Sequence, residues 1–211
     1  NSDTAYVTIT VMDTVAPVAI ANDTTIYLDG TGNISVTAAA IDNGSWDSCG
    51  IASLVLDETS FDCSETGANT VTLTVTDVNG NVKTATATVT VVDNESPVAV
   101  AIDTTVYLDG SGTASITAQE IGYGSSDNCV TDSLHIGQTT FVCSEAGTVI
   151  PLVLTATDPT GNSDTAHFNV TVLDTTSPTA TGQDLTVYLD NTGQASITAA
   201  DIENGSTDNC S

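Results

Sequence analysis

Strict alternation of side chains over two long stretches constrains the fold of this chain more than any other feature. Between residues 70 and 92, aliphatic side chains hold every second position and threonines hold most positions between them. A period of two is typical of a β-strand with one face in a core and the other in water. Residues 77–81 divide the stretch, and their Asn-Gly pair favours the positive φ angles of a hairpin turn. The sequence therefore predicts a hairpin here, and the similar stretch 152–173 predicts a second.

These hairpins belong to a repeat of about 80 residues, a size that leaves each unit only a thin core. Asp13, Asp93 and Asp174 mark its starts, at nearly equal separations along the chain. A proline, a Tyr-Leu-Asp motif and a Gly-Ser pair follow at equivalent positions: Pro17, Pro97 and Pro178; Tyr27, Tyr107 and Tyr188; Gly44, Gly124 and Gly205. Such a period indicates a tandem array. We predict the last strand of a preceding repeat at 1–12, complete repeats at 13–92 and 93–173, and the N-terminal half of a further repeat at 174–211.

Each complete repeat carries several short alternating strands with turn signals between them. In the first copy we expect strands near residues 18–28, 33–38, 51–56 and 61, followed by the long hairpin, with one helical turn at 39–42. Whether residues 57–67 form one strand or two stays open. This pattern predicts an all-β fold of tandem immunoglobulin-like β-sandwiches.

The cysteines also recur. Cys49 and Cys63 have the same separation in sequence as Cys129 and Cys143. Such pairs can form a disulfide, a metal site or a redox site, and the absence of a C-x-x-C motif or an adjacent histidine argues against the last two. We therefore predict disulfides Cys49–Cys63 and Cys129–Cys143, one per repeat, with Cys210 paired beyond the end of this chain. Structural disulfides indicate an extracellular protein.

The charge limits the possible partners. The chain has 27 acidic residues and one basic residue, Lys83, for a formal net charge of −26. Nucleic acid is a poor partner for such a surface, because phosphate binding requires Lys and Arg. No apolar run approaches the length of a membrane span, so we expect no membrane insertion of this segment. Divalent cations are the natural counterions.

The motifs D-x-x-x-P, YLD-x-x-G, GS-x-D-x-C and TVTLTVTD-x-x-GN, taken together, resemble hyalin-repeat-like (HYR-like) domains. More narrowly, they are similar to repeats of the giant surface adhesins of gliding Bacteroidota. The resemblance covers the whole chain. It implies an immunoglobulin-like sandwich, export by the type IX secretion system, and display as an outer-membrane-anchored filament in attachment and gliding motility.

Calcium is the first candidate ligand, because carboxylates, amides and glycines gather in two recurring loops of each repeat. The candidate positions, in chain order, are Asp13, Asp42, Asp47, Asp77, Asp93, Glu120, Asp127, Asp158 and Asp174. The alternative is that these side chains only cap turns, as in an Asx-turn. Immunoglobulin strand order would place residues 42–47, the 77–81 turn and Asp13 at one pole, and the Asp29 turn at the opposite pole, facing the next repeat.

The resemblance also implies O-glycosylation, since Bacteroidota modify an Asp-Ser/Thr-aliphatic motif. It matches at Thr4, Thr14, Thr24, Thr104, Ser133, Thr165 and Thr175. Chance is the alternative explanation, because Asp and Thr are abundant here.

We expect no enzyme, since no nucleophile elbow, phosphate loop or paired-acid motif stands out. The function favoured by the sequence is a structural stalk whose partners are the neighbouring repeats. The competing function is a module that binds surface polysaccharide or ice directly. The only recurring tyrosine, at positions 27, 107 and 188, lies within a predicted strand, which favours the stalk.

Overall fold

The computed structural model describes residues 1–131 and 133–210, and most of its regular structure is β-strand. Residue contacts divide the chain into two compact units, residues 1–95 and 96–211. Residues 1–12 lie in no strand. Their assignment to a preceding repeat, and the repeat boundaries, remain predictions.

The first unit is a β-sandwich. Its four-stranded sheet has the order β1-β6-β5-β3, and β2 pairs with β4 in a second sheet. The first and last strands, β1 and β6, run parallel, whereas the other pairs are antiparallel. The elements are β1 (Thr24–Tyr27), β2 (Asn33–Ser35), α1 (Ala38–Ile41), β3 (Ile51–Leu56), β4 (Ser60–Asp62), β5 (Gly67–Asp77) and β6 (Val82–Val92). Residues 57–67 thus hold one complete strand, β4, and a 3₁₀ turn, which answers the question left open by the sequence.

The second unit repeats this arrangement. Its larger sheet has the order β7-β12-β11-β9, and β8 pairs with β10. The elements are β7 (Thr104–Tyr107), β8 (Thr113–Ser115), α2 (Ala118–Ile121), β9 (Ser133–Ile136), β10 (Thr140–Val142), β11 (Val149–Thr157) and β12 (Ser163–Leu173). A last helical turn, α3 (Ala199–Ile202), follows. The predicted all-β fold of tandem immunoglobulin-like sandwiches is confirmed.

The long hairpins supply the core. Val71, Leu73 and Val75 on β5 are fully buried, and Val89 on β6 is buried with them. Full burial of one such side chain contributes about 1.5–3 kcal/mol to the free energy of folding. In the second unit Phe141, Leu154, Phe168, Val170 and Val172 form the corresponding core. The alternation in the sequence therefore predicts which face of each hairpin is buried.

The cysteine pairing differs from the prediction. Cys49 is a free, exposed thiol, and Cys143 is bonded to Cys210, at a sequence separation of 67. The predicted pairs Cys49–Cys63 and Cys129–Cys143 are therefore wrong, as is the expectation that Cys210 has no partner within the chain. Cys63 and Cys129 are disulfide-bonded too.

The strand directions explain this result. Because β1 is parallel to β6, the Asp29 turn that follows β1 lies at the pole opposite the 77–81 turn that precedes β6. The Cys63 sulfur lies 3.5 Å from the carbonyl oxygen of Gly32, within the Asp29 turn. Cys49, in contrast, lies beside Asp77 at the other pole. A strand as long as β3 spans about 20 Å, whereas the Cα atoms of a disulfide lie about 4.4–6.8 Å apart.

The described residues contain no helix long and apolar enough to cross a membrane.

Candidate functional site

The hairpin turn at residues 77–81 is organised by one buried carboxylate. Asp77 accepts hydrogen bonds from the backbone N–H groups of Asn79 and Asn81, both at 2.8 Å, and from the Asn81 side-chain amide at 2.8 Å. Gly80 has a φ of +91°, which favours glycine. The Asx-turn predicted as the alternative to a metal ligand is therefore present.

The same turn reaches the predicted junction residue. The Asn81 amide also donates to the carbonyl oxygen of Asp13 at 3.2 Å. Asn81 thereby fixes the start of the repeat against its last hairpin. The prediction that this turn and Asp13 share one pole is confirmed.

Asp13, Asp47 and Cys49 form an acidic group at this pole. One carboxylate oxygen of each aspartate and the Cys49 sulfur lie within 4.8 Å of one another. Asp47 also caps its own loop by accepting the Cys49 backbone N–H at 2.8 Å. The hydrogen bond from the thiol to Asp13 and the negative charges of Asp13, Asp47 and Asp77 raise the pKa of Cys49. The site therefore disfavours additional negative charge.

The second unit has a corresponding group. Asp127 and Asp158 each have a carboxylate oxygen within 4.8 Å of the other. Asp127 accepts the Cys129 N–H through Oδ2 at 3.1 Å, while its buried Oδ1 accepts no hydrogen bond from any residue the structure describes. Asp93, at the position equivalent to Asp13, is buried after β6 and accepts the Glu95 N–H at 3.2 Å.

The pKa of each hairpin carboxylate, Asp77 and Asp158, lies below the ordinary value for an aspartate. Burial raises the pKa of Asp158, but hydrogen bonds from the side chains of Asn162 and Thr160 and from two backbone N–H groups outweigh it and lower the pKa below its ordinary value. Burial likewise raises the pKa of Asp77, and the bonds from Asn81, Asn79 and Gly80 lower it. These carboxylates therefore remain anionic acceptors at neutral pH.

The opposite pole of the second sandwich carries the Asp109 turn. Asp109 accepts hydrogen bonds from the Ser111 hydroxyl at 2.6 Å and the Ser111 N–H at 2.8 Å. Its backbone carbonyl accepts the side-chain amide of Asn209 at 3.0 Å, and that amide also donates to Asp174 at 3.2 Å. The turn therefore faces residues of the next predicted repeat, as the sequence predicts.

Two candidate metal ligands have other roles. Asp42 accepts the N–H groups of Gly44 and Ser45, which closes its own loop. Glu120 completes a capping box with Thr117 at the start of α2. Neither belongs to the acidic groups found among residues 1–131 and 133–210.

The glycosylation motifs lie mainly on accessible surface. Thr4, Thr14, Ser133, Thr165 and Thr175 are exposed, whereas Thr24 and Thr104 are partly buried at the starts of β1 and β7. Asp132, which completes the motif at Ser133, lies outside the described residues. Modification at these positions remains a prediction.

Sequence reasoning missed three junction residues. Asn81 and Asn209 look like ordinary turn residues in the sequence, although their amides join segments 68 and 100 residues apart. Gly112 looks like a turn glycine only. A Cβ there would overlap the Cys143 sulfur and lie 2.8 Å from the Asn209 carbonyl oxygen. The recurrence of Asn after the turn glycine, at positions 81 and 162, was the available signal.

No protein-family model matches the sequence, and no curated protein does. Among solved structures, the chain is similar to cadherin domains 1–4 of protocadherin gamma B7, with a TM-score of 0.35, 12% identity, and coverage of 81% of this chain and 54% of that one. It is also similar to the extracellular domain of protocadherin gamma B4, with a TM-score of 0.37, 17% identity, and coverage of 81% and 35%. Domains 1–2 of human protocadherin-24 match with a TM-score of 0.36, 13% identity, and coverage of 76% and 99%. The chain thus spans about half the length or less of the first two.

Proposed function

We propose that this chain is a stalk segment of an extracellular adhesin, in which sandwiches follow one another in series and hold an adhesive region away from a cell. The observation that carries the proposal is the contact of Asn209 and Cys210 with the Asp109 turn and Cys143. Residues of one predicted repeat thereby fasten the end of the preceding one. The resemblance to HYR-like repeats supplies the finer parts: a filament on the surface of a gliding bacterium, exported by the type IX system.

Exchange of repeats tests this function. In the natural gene, residues 93–173 are replaced by a second copy of residues 13–92, which keeps the repeat number but exchanges the surface. A stalk retains surface attachment and gliding at the level of the unaltered strain. Loss of attachment despite normal surface display would show that residues 93–173 contact a ligand themselves. A strain with residues 93–173 deleted serves as the length control.

We further propose that calcium binds at the junction pole. In the first repeat its ligands are Asp13 and Asp47, supported by Asp77. Carboxylate oxygens within 4.8 Å of one another repel, and Lys83, on β6, is the only lysine or arginine of the sequence. Oxygen donors of this kind suit Ca²⁺, and backbone oxygens or water can complete its six to eight ligands.

The second repeat supports the same assignment. Asp127 and Asp158 hold the positions equivalent to Asp47 and Asp77, and a carboxylate oxygen of each lies within 4.8 Å of the other. The buried Asp127 Oδ1, which accepts no hydrogen bond from the described residues, has the chemistry of a cation ligand. A bound ion would stabilise the folded state according to its concentration and affinity.

A matched pair of variants tests for calcium. Asp47 and Asp62 each cap a backbone N–H two residues on, at 2.8 Å, but only Asp47 belongs to an acidic group of the described chain. Asparagine preserves either cap. Calcium should raise the melting temperature of the wild type and of Asp62→Asn more than that of Asp47→Asn. Equal responses of all three chains, or no response to calcium or chelator, would refute the ion site. Neither result would bear on the proposed stalk function.

One observation favours the alternative, direct carbohydrate binding. The recurring tyrosine is on the surface, with Tyr27 53% and Tyr107 60% exposed, although each ends a strand. Tyr107 borders an open groove of about 830 Å³, together with Thr104, Ser115, Glu120 and Thr140. Aromatic faces beside hydroxyl groups suit sugars. Binding to a polysaccharide array that is lost in Tyr107→Ala but kept in Tyr123→Ala would favour this function over the stalk.

A further inference from the structure

The bond between Cys143 and Cys210 has a defined place in the repeat. Cys143 directly follows β10 and is the second cysteine of the repeat predicted at 93–173, whereas Cys210 is the first cysteine of the next repeat. Their Cα atoms lie 5.1 Å apart, within the usual range for a disulfide. The bond therefore crosses the junction between two predicted repeats.

The surrounding contacts fit this junction closely. The Asn209 side chain reaches both sides of it, by donating to the Asp109 carbonyl and to Asp174. The space over Gly112 is filled by the Cys143 sulfur and the Asn209 carbonyl oxygen. Gly112 follows Asp109 in the turn of the repeat at 93–173. The backbone of Asn209, in the next predicted repeat, occupies the space that a side chain at position 112 would need. Cys143 and Cys210 therefore lie in a closely packed contact between the two predicted repeats.

We propose that this pairing is general, and we call it the cysteine register: the second cysteine of each repeat is bonded to the first cysteine of the repeat that follows. Cys49 is then the position that receives the second cysteine of a preceding repeat. Cys49 is equivalent to Cys210 in sequence, and it is exposed and free in this chain. Cys63 and Cys129 are disulfide-bonded as well.

The first residues of the chain identify the partner. Residues 1–5 are identical to residues 162–166, and the strand pattern continues through residue 12 as it does through residue 173. Residues 1–12 therefore match the end of a repeat of the same kind. Its second cysteine would stand beside a Tyr-Leu-Asp turn, as Cys143 stands beside the Asp109 turn.

The chemistry is ordinary thiol–disulfide exchange. Each junction forms one S–S bond from two thiols, and the two electrons and two protons pass to a disulfide oxidant, which is released as two thiols. Each sandwich in the array would then be covalently joined to both neighbours beside the main chain. Pulling on the ends would load these bonds as well as the peptide linkers.

An added repeat copied from this chain tests the proposal. A copy of residues 93–161 is placed before Asn1, so that residues 1–12 complete the added repeat, and the added copy of Cys129 is changed to serine. Peptide mapping without reduction should find Cys49 linked to the added copy of Cys143, and alkylation should label no cysteine. In the original chain, alkylation should label Cys49 alone. Alkylation of Cys49 in the extended chain, or a bond from Cys49 to Cys63, overturns the proposal.

A second variant needs no extension. In Cys210→Ser the register leaves Cys143 without a partner, so alkylation should label Cys49 and Cys143 while Cys129 stays protected. Formation of a Cys129–Cys143 bond, or of a Cys49–Cys63 bond, would show that pairing follows sequence proximity and would also overturn the proposal. Asn209→Ala is the companion variant: it keeps both cysteines and should slow formation of the Cys143–Cys210 bond.

Discussion

Replacement of Gly112 by alanine tests the junction directly, because the chain contains a matched control. Gly112 has a φ of +74°, and a Cβ there would overlap the Cys143 sulfur and lie 2.8 Å from the Asn209 carbonyl oxygen. Gly193 holds the equivalent position of the next turn with a φ of +81°, and a Cβ there meets nothing within 4 Å. The two substitutions differ in the junction contact, while the backbone strain is shared.

The expected magnitude follows from these contacts. A left-handed backbone costs an L-residue roughly 1–2 kcal/mol at either site. Only Gly112→Ala also forces neighbouring atoms apart, and overpacking of this kind costs about 1–3 kcal/mol. Because about 1.4 kcal/mol corresponds to a tenfold change in an equilibrium constant, Gly112→Ala should weaken formation of the Cys143–Cys210 bond about 5- to 150-fold relative to Gly193→Ala.

The assay is a redox titration. Each chain is equilibrated with mixtures of reduced and oxidised glutathione, quenched by alkylation, and digested at acidic residues, and the linked peptide containing Cys143 and Cys210 is quantified by mass spectrometry. Gly193→Ala should stay close to the wild type, because its strain is confined to its own turn. If Gly112→Ala and Gly193→Ala have equal constants, the close packing of Asn209 over Gly112 does not exist in solution.

Three further predictions concern stability. Leu154→Ala removes a fully buried side chain and should lower the free energy of unfolding by about 2–5 kcal/mol in urea titrations, whereas Val153→Ala, on the exposed face of β11, should change it by about 0.5 kcal/mol or less; equal losses would contradict the assigned faces. Asp158→Asn places an N–H₂ group against the Asn162 amide, which donates to Oδ2 at 2.8 Å, and should cost about 1.5–3 kcal/mol in thermal unfolding with chelator present; a loss seen only with calcium would assign Asp158 to the ion alone. Hydrogen bonds from Ser111 lower the pKa of Asp109, so its contribution to stability is complete above the unfolded pKa of about 3.9 and is lost as the pH falls through the lower folded pKa. The difference in unfolding free energy between wild type and Asp109→Asn should therefore be constant from about pH 5 to 7 and shrink below about pH 4, and a difference that grows on acidification has the wrong sign.

Local patterns determined much of this protein. The alternation at 70–92 predicts which side chains of β5 and β6 are buried, because successive residues of a strand point to opposite faces. The Asp-x-x-Gly motifs predict turns, since the aspartate bonds the N–H groups that follow it. The spacing of Asp13, Asp93 and Asp174 predicts a repeat, and the strand order then predicts which turns share a pole.

Only the tertiary structure decided the covalent connections. Cys49 and Cys63 are close neighbours in sequence, yet β3 carries the chain from one pole of the sandwich to the other between them. Cys143 instead meets Cys210, because the next repeat begins at the pole where the previous one ends. Likewise, nothing local distinguishes Asp47, which joins an acidic group, from Asp62, which caps a turn in the same way. Spacing measures distance along the chain, whereas bonds and ion sites depend on distance in space, which is set by the direction of every strand between.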